Sequence, residues 1–172
     1  MEVLRTQRLI IRTWSDDDES LALKLWGDPD VSKFIFKAPL SREEVVQIFR
    51  RQLEFQVEYG FQYWIIERLN DRAFVGACGL RPWVFCGNTD DVELGFHICK
   101  DQWHHGFAAE TARAVIDFSF HCLGIKKIFA GHHPDNLASR HILLHLGFSP
   151  KEMVLYPPTG LMHPTYELLC RV

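Results

Sequence analysis

The chain has no C-x-x-C pair, no G-x-G-x-x-G run, no H-E-x-x-H motif and no apolar stretch near the roughly 18 residues of a membrane span. A zinc ribbon, a Rossmann dinucleotide site and a zincin helix are therefore not expected, and no membrane partner is. The five cysteines (Cys78, Cys86, Cys99, Cys122, Cys170) are scattered and odd in number. That pattern argues against a disulfide framework and for reduced, mostly buried thiols. Positive charge is not in excess: the formal net charge is -3. A broad basic face for nucleic acid is thus not expected, although a local site for phosphates is still allowed. There is no repeat, low-complexity tract or Gly/Ser linker, so residues 1–172 are expected to form one domain. Met1 to Ile11 carries Arg5 and Arg8 and lacks the apolar core of a signal peptide, which implies a cytoplasmic setting.

What is present is the composition of a packed globular protein, with 47% hydrophobic and 24% charged residues. Leu9 to Ile11 suggests a short buried strand. Ser15 and the three aspartates after it suggest a helix start, with the helix running to about Trp26 and stopping near Asp28-Pro29. Ser41-Arg42-Glu43-Glu44 matches the capping box and opens a helix toward Tyr59, ended by Gly60. Tyr63–Glu67 and Ala73–Leu80 read as a hairpin around Asn70-Asp71, and Gly87-Asn88 as a turn before a strand over Asp91–Ile98. Gly106 to Leu123 is helical, with one polar stripe of Glu110, Arg113, Asp117 and His121. Lys127–Gly131 is a strand, Asn136–Leu146 a helix, and Phe148–Tyr156 and Thr165–Cys170 two closing strands. The order β-α-α-β-β-β-α-β-α-β-β implies an α/β (α+β) fold, a mixed sheet with helices on both faces.

The junction between the strand ending at Ile98 and the helix after Gly106 carries the chemistry. Strand alternation sends Val92, Leu94, Phe96 and Ile98 to one face and Glu93, Gly95 and His97 to the other. A helix start offers free N–H groups and partial positive charge, and Gly106, Ala108 and Ala109 are small enough to admit an anion. The bland alternative is an ordinary loop-to-helix junction. His141 and His145, one turn apart, have metal spacing, but no carboxylate or Cys stands beside them, so no metal is expected.

The run Trp103-His104-His105-Gly106-Phe107-Ala108-Ala109-Glu110 resembles the coenzyme A loop of the GNAT acetyltransferase superfamily, Q/R-x-x-G-x-G/A. Trp103 in place of Gln or Arg, Asn136-x-x-Ser139 before Leu146-Gly147-Phe148, Gln7-Arg8-Leu9-x-x-Arg12 and Asp28-Pro29-Asp30-Val31 are similar to its ribosomal-protein (RimJ/RimL-like) branch. The resemblance spans nearly the whole chain. It implies a splayed central sheet and an N-acetyltransferase that moves acetyl directly from acetyl-CoA to a primary amine, on a protein N-terminus or a small molecule. It also leaves room for a homodimer.

Direct transfer needs a deprotonated amine, a polarised carbonyl and an accommodated thiolate. Glu93, a carboxylate in mid-sheet, is the candidate base; the alternative is a structural Glu bonded to an Arg or to backbone amides. The resemblance implies that backbone groups near Phe96, His97 and Ile98 meet the pantetheine arm and the carbonyl. Residues 103–109 and Asn136 and Ser139 would contact coenzyme A. Many relatives place a Tyr seven residues after the Asn as acid for the sulfur; here that position is Leu143, and Ser139, one turn earlier, is the candidate donor. Asn136 and Ser139 are also good helix caps. Trp26 and Phe34 are candidates for the acceptor pocket. The competing function is a non-catalytic acyl-CoA-binding or regulatory module on the same fold.

Overall fold

A computed structural model describes residues 1–83 and 91–170; the expected turn at Gly87-Asn88 and Cys86 fall outside them. The strands are β1 (Glu2–Arg5), β2 (Leu9–Arg12), β3 (Tyr63–Arg68), β4 (Phe74–Pro82), β5 (Val92–Ile98), β6 (Lys127–Gly131), β7 (Ser149–Tyr156) and β8 (Leu161–Leu169). The α-helices are α1 (Glu19–Trp26), α2 (Pro29–Ser32), α3 (Arg42–Tyr59), α4 (Phe107–His121) and α5 (Leu137–His145). All eight strands form one sheet in the order β1-β2-β3-β4-β5-β6-β8-β7. It is mixed as expected: β5 and β6 are parallel and the other neighbours antiparallel.

Three elements depart from the sequence reading. β1 was not expected, since Glu2–Arg5 has two apolar residues between two charged ones; pairing with β2 (Leu4 opposite Ile11) makes it a strand. Pro29 does more than stop α1: the Asp28 carboxylate accepts from the Asp30 N–H at 2.8 Å and starts a further short helix with Pro in its first turn. β8 begins at Leu161 rather than Thr165, running through Pro164. That residue has no N–H to give, and it lies beyond the last β6 partner, Thr165, and opposite the irregularity in the β7 ladder. The α3 capping box forms as read, with Ser41 N–H donating to Glu44 at 2.7 Å and Glu44 N–H to Ser41 Oγ at 3.2 Å.

Two cores lie on the two faces of the sheet. Trp64, Cys78, Leu80, Val92, Leu94 and Ile128 pack against α4 and α5, while Tyr63, Ile65 and Ala77 pack against α1 and α3. Of the polar stripe on α4, Arg113, Asp117 and His121 face solvent, but Glu110 turns inward to Arg8 and Thr6. Cys78 and Cys99 are buried, whereas Cys122 is exposed and Cys170 half-buried, so the thiols are less uniformly internal than expected.

Candidate active site

β5 and β6 pair only at Val92–Ile128 and Glu93–Phe129. Beyond Glu93 they separate, β5 staying on β4 and β6 on β8. The backbone orientation of β5 follows from the ladder. The Trp83 N–H goes to Asp91 O at 2.8 Å and the Cys99 N–H to Val75 O at 2.9 Å, so odd-numbered residues of β5 point their backbone groups at β4. Leu94, Phe96 and Ile98 therefore point theirs across the opening. Trp103 takes one of them: its indole N–H donates to the Ile98 carbonyl at 2.8 Å. Of the three backbone groups expected at the site, Phe96 and Ile98 face the opening and His97 does not; its side chain does the lining instead.

The opening leads into a cavity of about 1160 Å³. It brings together Glu93, Phe96, His97, Ile98, Trp103, His104, Gly106, Phe107, Ala108, Ala109, Asn136, Ser139, Trp26 and Phe34, every residue singled out from the sequence except His105. The His105 ring stacks on Phe107 with centroids 5.5 Å apart, and its carbonyl accepts from Arg8 at 3.1 Å. Gly106, at φ 77°, is the N-cap of α4, and His104 shares the left-handed region at φ 63°. Arg8, just before β2, braces the loop, bonding Glu110 at 2.7 Å and lying 4.8 Å over the Phe107 ring. The first N–H groups of α4 thus open onto the cavity beside small side chains, a fit for a phosphate.

The other wall lies on the α1–α3 face. Tyr63, Gly79 and Gly95 are aligned across β3, β4 and β5, and a Cβ on Gly95 would collide with the Tyr63 hydroxyl and ring. Glycine there lets Tyr63 lie over the sheet, and burial pushes its hydroxyl pKa up. Next along, Arg81 and Glu93 are directly opposed, and the Arg81 Nε donates to Glu93 Oε2. Glu93 is 7% exposed, so the arginine answers the desolvation of its charge. Its other oxygen, Oε1, points toward Gly131 on β6, 4.0 Å from where a Cβ would stand. His97 accepts at Nδ1 from the Trp26 indole N–H at 3.0 Å, and burial, aided by Arg81, holds its pKa down to about 3. His163 is pulled down to about 4 by burial and by His133 and His132. Sequence reading missed Arg81, Tyr63, Tyr156 and His163 as cavity residues. Arg81 and Tyr63 could have been found by asking what stands opposite Glu93 and Gly95 on neighbouring strands.

The acetyltransferase (GNAT) domain family matches residues 8–149. The chain belongs to the GNAT acetyltransferases. Within them it falls with the RimJ/RimL-like family, and it is an N-acetyltransferase. A similar relative is the uncharacterized N-acetyltransferase p20 of Bacillus licheniformis, 28% identical over 90% of this chain and 86% of that protein. In fold it resembles an acetyltransferase from Agrobacterium tumefaciens (TM-score 0.82, 20% identity, 98% of this chain and 94% of that one). It also resembles spermidine N-acetyltransferase from Vibrio cholerae, solved with CoA and spermine (TM-score 0.77, 16% identity, 95% and 96%).

For a GNAT enzyme, the acid position on α5 is the notable departure. Leu143 is 1% exposed and part of the core, so no polar group enters the cavity there. Ser139, one turn earlier, does line the cavity, and its N–H donates to Asn136 Oδ1 at 3.1 Å. Asn136 is thus the α5 cap, as the alternative held, while its amide N–H groups have no such duty. Among the described residues no group of His, Cys, Asp or Glu could hold a metal, and no helix is long and apolar enough to cross a membrane.

Proposed function

We propose that the chain acts as one domain that binds acetyl-CoA between β5 and β6 and transfers its acetyl group directly to a primary amine. The observation carrying this reading is the parting of β5 from β6 after Glu93, which leaves backbone groups unpaired beside the N-terminus of α4. The α4 start would take the phosphates, and Asn136 and Ser139 would border the arm. The Phe96 N–H on the open edge would polarise the thioester carbonyl, stabilising charge that grows as the amine attacks.

In this reading Glu93 is the base. Arg81 fixes Oε2 and leaves Oε1 to take a proton from the ammonium, directly or through one water. The departing group is an alkyl thiol of pKa roughly 8.5, which leaves tolerably as thiolate, so that Ser139 need only donate a hydrogen bond. The acceptor is a protein N-terminus or a small amine entering from the α1–α3 side, past Trp26 and Phe34.

The first test is thermal unfolding with acetyl-CoA and with ADP. At a hundred times its dissociation constant acetyl-CoA is expected to add about 2.7 kcal/mol, which is about 5–10 °C at this size. A shift with acetyl-CoA and little with ADP supports the donor site. No shift with either overturns the proposal.

A further inference from the structure

The acceptor side of the cavity is rich in hydrogen-bond donors and poor in free carboxylates. Among the described residues three carboxylates border the cavity, and each is engaged. Glu93 holds Arg81, Asp30 holds Lys100 at 2.6 Å and Lys33 at 3.1 Å, and Glu44 accepts from Ser41 N–H at 2.7 Å. Of the three, only Glu44 lacks a cationic partner among the described residues, and it is held at the α3 cap. The donors are better defined. Because the Trp26 indole can only donate, His97 Nδ1 must carry its lone pair, and the ring proton of neutral His97 sits on Nε2. The ring is held edge-on to both Trp26 (80°) and Tyr63 (86°), and it has no other hydrogen bond among the described residues. His133 is fixed the same way, with Nδ1 accepting from the Asp135 N–H at 3.2 Å.

We infer that His97 is a specificity-determining donor and not a base: its Nε2–H, fixed by Trp26, reads an oxygen placed near the amino group of the acceptor. The inference rests on the acetyl-transfer reading and narrows it to monoamines bearing a carbonyl or similar oxygen, with polyamines disfavoured. Trp26 is a positioning residue, since its N–H selects the His97 tautomer. The groups facing His97 are Trp26 from α1, Tyr63 from β3 and Arg81 from β4, with Glu93 two residues along its own strand. A proton added to the ring would meet the Arg81 charge and displace the Trp26 bond, so the neutral donor is the resting state.

Two measurements test this. The first is the rate of CoA release with matched amines that differ by one oxygen group, leucinamide against isoamylamine and phenylalaninamide against phenethylamine, with spermidine alongside. The amides are expected to exceed their oxygen-free partners by tenfold or more in kcat/KM, the gain lying in KM. His97→Phe should erase that ratio and His97→Gln, which keeps a donor, should restore part of it. If no amide exceeds its partner, or if spermidine matches the amides, the inference is overturned. The second needs no acceptor: nitrogen-15 shifts of the His97 ring, assigned by loss in His97→Gln. One protonated Nε2 and one bare Nδ1, unchanged from pH 8 to 5, is the expected result, and Trp26→Phe should mix the tautomers. Titration of His97 near the ordinary histidine value would overturn the donor role even where acetyl-CoA still stabilises the protein. Loss of that stabilisation would instead strike the underlying acetyl-transfer reading.

Discussion

At the scale of single residues, Glu93 concentrates the problem. A carboxylate 7% exposed in the middle of a sheet survives only because Arg81 stands opposite it on β4. The sequence marked Glu93 as anomalous, since an acid among Val92, Leu94 and Phe96 breaks an apolar strand. It offered no way to choose between a base and an ion-paired strut, because the partner lies 12 residues away and is set by strand register. Glu93→Gln discriminates between the two. It keeps the shape and a hydrogen-bonding oxygen but removes the basic oxygen, so turnover is expected to fall by about 10²–10⁴-fold with the acetyl-CoA thermal shift kept. Turnover within a few-fold of the parent would assign Glu93 to structure. A protein with no turnover to lose in its unaltered form would be the binding module.

At the scale of elements, hydrophobic periodicity and caps were legible, and cross-strand relations were not. The α3 capping box, the α4 stripe and the alternation along β5 were visible because they depend on neighbours three, four or two residues away. β1 was missed because its four residues become a strand only through β2, and the last strand was started too late, at Thr165, although the missing N–H of Pro164 costs nothing at that place. The stack of Tyr63 over Gly79 and Gly95 makes the sharpest prediction here. Gly95→Ala should drive the Tyr63 ring from its place, lowering both stability and activity, and Tyr63→Ala in the same chain should recover folding but not activity. Gly79→Ala should not be rescued that way, because its Cβ would meet the Gln62 backbone carbonyl. Denaturant midpoints of the single and double variants give the coupling; additive losses for the Gly95 and Tyr63 pair would mean that the contact is not as described.

At the scale of the whole molecule, His97 and His163 give stability a pH dependence of definite sign. The pKa values of His97 and His163 are held down to about 3 and about 4 in the folded state, against an ordinary value of 6.5. Between these limits the unfolded chain binds protons that the folded chain refuses, so stability is fully present above about pH 6.5 and is lost as pH falls toward 4. Each group adds a slope on the order of 1.4 kcal/mol per pH unit across its window. Urea midpoints at pH 7, 6 and 5 should fall steadily, and His163→Gln should flatten the fall by about that slope. A profile that is flat down to pH 5 would show that these rings titrate normally.

The sequence by itself determined the order of the elements other than β1 and α2, the family resemblance and the segment proposed for the donor site, because helix caps, strand alternation and the loop from Trp103 to Ala109 are local. It also placed Glu93 and His97 on one face. Only the tertiary structure decided what those side chains are. Arg81 makes Glu93 an ion-paired carboxylate, the Trp26 indole N–H occupies His97 Nδ1, and the His105 ring stacks on Phe107. The parting of β5 from β6 is of the same kind: nothing in Leu94 to Ile98 announces that one edge is unpaired, because a strand's second neighbour is chosen by the path of the chain, here through α4, and not by its own residues.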